Sequence, residues 1–402
     1  MIRLVDEREL LIESSVTTKI KVIGVGGAGG NTVNSMVRSG FDYVEFIAAN
    51  TDAQALENSS AHHVIRLGNK LTRGLGSGTN PEIGRRATEE DLETIYNVVA
   101  DADVVFLTAG LGGGTGSGGI PVIARALRER GILTVAVVTK PFAFEGRRRS
   151  AVADEALELL KSVVDTFIVL PNQRLIDLSD ANLSLLDAFE RLNSFVGRFV
   201  KSIADIIMNS GHINVDFADI QAIMRNSGSA IMGFGEASGP NRAEEATLQA
   251  VSCNLLEENG VAGARGVLVN IAGSSQLGLH EVSSVMNIIY EQVDSEANIV
   301  LGSVIDDDLE DMLCVTLIAT GFAGARAHLS SGVASLRNSM PGVVCGRTAA
   351  VDLATAKAAQ VISITEPIVT TKELPVSDIP CDPLDMPAIL RQKSSNGEQE
   401  QA

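Results

Sequence analysis

Gly110-Leu111-Gly112-Gly113-Gly114-Thr115-Gly116-Ser117-Gly118-Gly119 is the run from which the rest of this chain can be read. It follows an apolar, β-type stretch from Val104 to Ala109 and leads into a helical pattern from Ile120 to Arg130. The glycines therefore occupy a strand-to-helix turn. Such a turn suits a phosphate, because residues without side chains let the backbone approach an anion and consecutive N–H groups converge at the positive end of a helix. Thr115 and Ser117 add hydroxyls. A flexible glycine linker is the plain alternative, and the strand and helix signals that flank the run without slack count against it.

Further turns of the same kind lie on both sides. Lys19 to Val25 alternates as a strand and enters Gly24-Val25-Gly26-Gly27-Ala28-Gly29-Gly30-Asn31, a G-x-G-x-x-G followed by a helical pattern from Asn31 to Arg38. A second strand, Val44 to Ala49, ends in Asn50-Thr51-Asp52, which puts an acid where a dinucleotide fold would place one on a ribose. Gly24, Gly26, Gly29 and Asp52 thus support an NAD- or FAD-dependent oxidoreductase, although the chain offers no evident acid or base for hydride transfer. Gly74-Leu75-Gly76-Ser77-Gly78-Thr79-Asn80-Pro81 and Thr139-Lys140-Pro141-Phe142, the latter after the strand Leu133 to Val138, add two more loops. Several such turns at one sheet edge point to a triphosphate.

Strands alternating with helices through Asn172 predict a mostly parallel sheet with helices on both faces and a ligand outside the carboxyl ends of the strands. No G-x-x-x-x-G-K-[ST] occurs, so phosphate contacts fall largely to backbone N–H groups. Glu145-Gly146-Arg147-Arg148-Arg149 is the one compact basic cluster near this edge. A guanidinium matches phosphate geometry, and a solvated helix start explains any single arginine equally well.

The totals narrow the class. With 402 residues, the chain has room for two packed domains and a tail, and its net charge of −18 opposes nucleic-acid binding as the main activity. Cys253, Cys314, Cys345 and Cys381 form no CxxC pair and the five histidines show no ligand spacing, which predicts a reducing compartment and no structural metal. No apolar run of about 18 residues and no signal-like start are present, so a cytoplasmic protein without direct membrane insertion is expected.

From Asn182 a long helix is predicted, with Leu185, Phe189, Leu192, Val196, Phe199, Ile203 and Ile206 at spacings of three and four and Gly211 as its stop. Phe189 and Asn193 share a face, so a ring could stack on a base while an amide reads its edge; core packing explains Phe189 as well. Asn214-Val215-Asp216-Phe217-Ala218-Asp219 then opens a helical run through Arg225, and helix capping accounts for the two acids as readily as catalysis does. A mostly helical path from Asn193 to Asp216 corresponds to roughly 35 Å, out of reach of the chain's own nucleotide. Any action on a phosphate would fall on a neighbouring molecule in a head-to-tail contact.

Beyond lies a second unit: a helical segment from Asn241 to Leu256, a strand Gly266 to Ile271, a helix Leu279 to Val293, and strands Ile299 to Ile305 and Met312 to Thr320. Phe322 to about Pro380 loses periodicity and reads as a linker. Asp382-Pro383-Leu384-Asp385-Met386-Pro387-Ala388-Ile389-Leu390-Arg391-Gln392 is a short acidic and apolar segment that is either a recognition peptide or a plain tail.

The block GGGTGSG is the signature of the tubulin and FtsZ superfamily, and from about Lys19 to Gly321 the chain resembles bacterial FtsZ, a cell-division GTPase. The resemblance implies an α/β fold: a lead (1–18), a Rossmann-like GTPase domain with a mostly parallel sheet (19–181), a long central helix (182–211), and a smaller α+β domain with a catalytic loop at its start (212–321). A linker (322–380) and a partner-binding peptide (381–402) complete the flexible tail.

It implies GTP/GDP contacts from Gly26, Gly27, Ala28, Gly29, Gly30, Asn31, Gly78, Gly113, Gly114, Thr115, Gly116, Pro141 and Asn172. Glu145 would hold the ribose, Arg149 the phosphates, and Phe189 and Asn193 the guanine; Ser194 stands where family members often carry a second Asp or Asn. Asn214, Asp216 and Asp219 match the family's N-x-D-x-x-D synergy loop, which completes the site of the next subunit. Mg²⁺ would be held through the nucleotide phosphates rather than by a protein metal site, with K⁺ as a candidate second cation. Asp382, Leu384, Asp385, Pro387, Ile389 and Leu390 would meet membrane-tethering and regulatory division proteins. The function so implied is a GTPase that polymerises with itself, head to tail, into a division ring at mid-cell. A dinucleotide oxidoreductase and a non-hydrolysing nucleotide-binding scaffold are the alternatives.

Overall fold

The computed structural model describes residues 18–41, 43–178, 184–208, 213, 215–252 and 261–322. Its first half alternates: β1 (Ile20–Val25), α1 (Gly26–Arg38), β2 (Val44–Asn50), α2 (Ala53–Glu57), β3 (His63–Arg66), α3 (Pro81–Glu90), α4 (Leu92–Val99), β4 (Val104–Gly110), α5 (Thr115–Glu129), β5 (Leu133–Lys140), α6 (Arg147–Val163), β6 (Thr166–Pro171) and α7 (Asn172–Leu178). After α8 (Leu185–Met208) and α9 (Phe217–Met224) come β7 (Gly228–Ser238), α10 (Arg242–Val251), β8 (Gly266–Gly273), α11 (Leu279–Gln292), β9 (Asn298–Ile305) and β10 (Met312–Thr320).

The described strands form one sheet in the order β3-β2-β1-β4-β5-β6-β7-β10-β8-β9. β1 to β6 are all parallel, and β4 and β5 are apolar runs buried on both faces, as parallel strands between two helix layers must be. Chain order reverses between β1 and β4. That reversal opens a crevice at the carboxyl ends of these two strands, the place where doubly wound sheets take their ligands.

One face of the first half is covered by α1 and α8, whose Val33, Met36, Val196, Phe199 and Ile203 pack on Val22, Phe46, Phe106 and Val135. The other is covered by helices that bring Ala87, Ile95, Ile120, Ile123, Leu127 and Leu160 onto Ile23, Leu107 and Ala136. The same core that holds α8 also contains Met232, Leu268 and Ile318, so this helix is packed against both halves of the sheet. Phe199 meets Phe106 edge-on, with ring centroids 6.1 Å apart, and truncating it to alanine would cost about 3–5 kcal/mol.

Three expectations need correction. The helices after the glycine turns start earlier than their apolar periodicity suggests, at Gly26 and Thr115, so glycines form their first turns. β7 was not anticipated: its sequence GSAIMGFGEAS carries glycines, and Cβ atoms at Gly233 and Gly235 would fall 1.9 Å from the carbonyl oxygens of Ala250 and Ala246. Those glycines let α10 lie directly on the strand. β7 joins the halves, pairing with β6 only through Thr166–Gly228 and Phe167–Ser229 and with β10 along nine residues. The third correction concerns the long helix. It ends at Met208 beside the start of α9, since Ile206 and Val215 both lie against Gly302. The separation from Asn193 is therefore about 20 Å rather than 35 Å, counted along thirteen helical residues.

Candidate functional site

Two helix starts meet in the crevice. Gly26 has φ +73° and lies so close to the second turn that a Cβ on it would be 3.0 Å from the Gly116 nitrogen. Neither α1 nor α5 has a side-chain cap on its first N–H groups, which leaves these donors free for an anion. Gly27, Ala28 and Asn31 are exposed and Gly30 and Gly113 half-buried, while Cβ positions at Gly27, Gly30 and Gly113 meet nothing within 4 Å. These are the open places along the floor.

The surrounding loops are tied to that floor. Thr115 Oγ1 shares a hydrogen bond of 2.7 Å with Thr51 Oγ1 and one of 3.1 Å with Ser77 Oγ, which holds the loop carrying exposed Gly78 against the start of α5. Gly112 has φ +98°, and its Cβ position is 2.9 Å from the Arg149 carbonyl oxygen and 3.3 Å from Pro141. Sequence reasoning missed Thr51 and Ser77; a hydroxyl just after a strand, or inside a glycine loop, was the available signal.

Arg149 donates to Glu145, which also accepts from the Phe142 N–H at 2.9 Å. The residues assigned to ribose and phosphates are therefore paired with each other. Asn172, at the end of β6, is 5% exposed and its Oδ1 has no hydrogen-bond partner among the described residues. A buried acceptor without a donor is costly, and a ligand hydroxyl would satisfy it.

Phe189 is 41% exposed and stands edge-on to Phe142, which stacks on Phe144. Packing alone would have buried it further. Asn193 accepts a 2.8 Å hydrogen bond from the hydroxyl of Thr32 on α1. Ser194 leaves this face and lines a cleft with Leu175, Arg191, Phe195 and Arg198.

The acids lie elsewhere. Met224, at the end of α9, accepts from Thr166 at the amino end of β6, and Arg225 donates to Gly131 just before β5. The helix that Asp216 opens is thus anchored at the amino edge of the sheet, and β5 alone separates the two edges by about 26 Å. Asp216 occupies the N-cap position but makes no side-chain cap bond, and both acids are exposed, with no hydrogen bond or ion pair to either carboxylate among the described residues. Asn214 and the segment Asp382 to Leu390 lie outside the described residues.

Asp52 is committed to the main chain, accepting from Gln54 and Ala55 N–H groups as the cap of α2, so the dinucleotide reading loses its ribose acid. What remains is a fold of the doubly wound class whose crevice presents the uncapped main-chain amides of α1 and α5. Residues 19–180 match the Tubulin/FtsZ family, GTPase domain, and residues 228–323 the FtsZ family, C-terminal domain. The empty FtsZ dimer of M. jannaschii is 41% identical, covering 80% of this chain and 94% of that one with a TM-score of 0.73. CetZ2 of Haloferax volcanii, a GTPγS-bound protofilament, shares the fold at 21% identity and a TM-score of 0.64, covering 80% of this chain and all 100% of that one. CetZ1 of the same organism, a GDP-bound monomer, shares it at 20% identity and 0.65, covering 79% and 100%. The chain belongs to the tubulin/FtsZ family and is a tubulin-like GTPase.

Proposed function

We propose that this GTPase assembles head to tail and that each subunit completes the hydrolytic site of its neighbour. The observation that carries the reading is the division of the machinery between two sheet edges. The glycine turns, Glu145, Arg149, Phe189 and Asn193 belong to the carboxyl edge, whereas the helix that Asp216 opens is anchored at the amino edge through its last residues, and Asp216 and Asp219 are exposed with no carboxylate partner among the described residues. Stacking one subunit on the next would bring the acids of one to the phosphates of the other, a heterologous contact that extends into a filament. The uncapped amides of α1 and α5 hold the phosphates in place, and Asp216 or Asp219 orients the attacking water and accepts its proton. Mg²⁺ accompanies the phosphates and neutralises their charge, with K⁺ as a candidate second cation.

In the cell the filament would build the division ring, in the cytoplasm at mid-cell. Asp382, Leu384, Asp385, Pro387, Ile389 and Leu390 would tether it to membrane-linked division proteins, and domain borders near 181, 211 and 321 would separate nucleotide binding, relay helix and catalytic unit. That CetZ2, a protein of this fold, is a GTPγS-bound protofilament supports the reading that this chain assembles.

A mixing experiment tests the shared site. Asp219→Ala keeps its own nucleotide pocket, whereas Gly113→Glu places a carboxylate where the phosphates bind but keeps its acids. Each variant alone should turn over GTP slowly, and the mixture should exceed the sum of the two. Phosphate release that is unchanged by mixing, or that is independent of protein concentration in the unaltered chain, would refute the shared site.

A further inference from the structure

β9 ends the sheet: it pairs with β8 on one side, and its other edge carries no strand among the described residues. An open edge presents main-chain groups that need partners. At Ser303 the partner is the loop ahead of α9. The Ser303 N–H donates to the Ile213 carbonyl oxygen at 3.2 Å, and the Ile213 N–H donates to Ser303 Oγ at 3.0 Å. Both polar main-chain groups of Ile213 thus end on one residue 90 positions away. That residue is 4% exposed, so water has little access to replace the side-chain half of the clamp. Beside it, a Cβ on Gly302 would stand 3.2 Å from Ile206 and 3.4 Å from Val215, so the end of α8 and the residue before Asp216 lie directly on the strand.

We infer that Ser303 is a positioning residue for hydrolysis: by holding Ile213 on β9 it fixes the main chain that leads into Asp216 and Asp219, and so places these acids for the neighbouring subunit's phosphates. Ile213 and Val215 stand on either side of Asn214, and Asp216 follows directly. The acids make no bond of their own that would fix them, since Asp216 forms no side-chain cap bond and neither carboxylate has a partner among the described residues. Their placement therefore comes from the main chain around them, which Ser303 and Gly302 hold at its start. Both donors in the clamp are main-chain N–H groups, so its direction is fixed and Ser303 Oγ can only accept there. The inference rests on the shared-site reading proposed above.

Ser303→Thr keeps the acceptor and Ser303→Val removes it at the same shape, so the pair isolates the hydroxyl; Ser303→Ala serves if the branched side chains do not fit. Phosphate release from GTP is measured on full chains above the concentration at which light scattering reports assembly, with GDP binding and a thermal melt of each variant alongside. Losing the acceptor should lower turnover per assembled subunit about three- to thirtyfold, between the worth of one buried hydrogen bond and that of an ångström of misplacement, and leave GDP affinity within about twofold. Ser303→Thr should stay within about twofold of the unaltered chain. Mixing separates loop from pocket: Ser303→Val should be rescued by Gly113→Glu, whose loop is intact, and not by Asp219→Ala, whose loop is not. Ser303→Val as active as Ser303→Thr, while Asp219→Ala stays slow, would overturn the role of Ser303 alone. So would rescue by Asp219→Ala but not by Gly113→Glu, which would put the defect in the variant's own pocket, or a raised assembly threshold with unchanged turnover above it. Asp219→Ala with undiminished turnover would remove the shared loop itself and the inference with it.

Discussion

Two glycines five residues apart should fail in opposite ways when each is changed to alanine. At Gly118 a Cβ would stand 2.0 Å from the Pro81 carbonyl oxygen and 2.6 Å from the Arg85 nitrogen, both main-chain atoms of α3. A carbon–oxygen contact needs about 3.3 Å, so α3 and α5 would have to separate by more than 1 Å. Overpacking of that size costs about 3 kcal/mol, and the better helix propensity of alanine returns about 1 kcal/mol. The net loss of about 2 kcal/mol corresponds to a melting point roughly 4–8 °C lower. At Gly113 the Cβ position meets nothing within 4 Å, and the residue has no positive φ to forbid a side chain. Gly113→Ala should therefore melt at the same temperature or slightly higher, because the unfolded chain loses freedom. Its methyl group would stand among the amides that face the phosphates, and losing one charge-assisted hydrogen bond there should weaken GDP binding at least about tenfold. Thermal denaturation without nucleotide, paired with equilibrium GDP binding, reads both effects. Unaltered affinity in Gly113→Ala would remove the phosphate from this floor, and an unaltered melting point in Gly118→Ala would refute the packing argument.

Phe189→Ala should cost little stability, since the ring is 41% exposed, but should weaken GDP about five- to hundredfold by loss of base stacking, as measured by titration. Lys21, 4% exposed, donates to the Val98 carbonyl and pairs with Glu45 at 2.6 Å and Asp101 at 2.7 Å. Burial opposes its charge, yet these partners hold its pKa above the ordinary value, and hydrogen bonds from Lys19 and Lys21 hold the Asp101 carboxyl far below the usual range. Lys21→Met should lose about 1–3 kcal/mol at pH 7. A depressed carboxyl stabilises the fold above its unfolded pKa and ceases to as pH falls, so urea titrations should show the gap between the two proteins narrowing below about pH 4. Deleting residues 381–402 should leave GTP turnover unchanged in a phosphate-release assay and abolish recruitment to vesicles that carry a tethering protein.

The alternation of β1, β2, β4 and β5 with helices was legible because strands buried on both faces leave continuous apolar runs such as Val104 to Ala109, and the glycine turns marked where the ligand edge lies. The helix starts were harder. Glycine has poor helix propensity, so Gly26 to Gly30 reads as loop, although their N–H groups gain from being a helix terminus. β3 escaped notice because an edge strand with His63, Val64 and Arg66 exposed shows no buried face. Asp52 and Asp216 show the limit of spacing arguments. Both sit at helix N-caps, but the first bonds to main-chain amides and the second does not. Whether an acid is free is decided by the rotamer that its neighbours allow, which is a tertiary fact. Ser303 lay hidden for the same reason: its partner Ile213 is 90 positions away.

The position of α8 explains why one chain divides the task. Its first turns stand at the carboxyl edge, where Leu192 packs with Phe142 and Leu175, and its last lie beside Gly302 and Val215, next to the start of α9. The stripe between them, from Val196 to Ile206, is buried in a core shared by strands of both halves. A helix with so many buried contacts is held as a rigid element, because close-packed cores do not deform continuously. The strand junction beside it is weaker, since β6 and β7 pair over only two residues. Any displacement of the second half relative to the first must therefore be carried by α8 and by this short seam. The residues proposed to read the base and those proposed to orient water at the neighbour's phosphate stand near opposite ends of that one rod. Contacts proposed for nucleotide with Phe189 and Asn193 would thus reach Asp216 and Asp219 through α8 and the short β6–β7 seam.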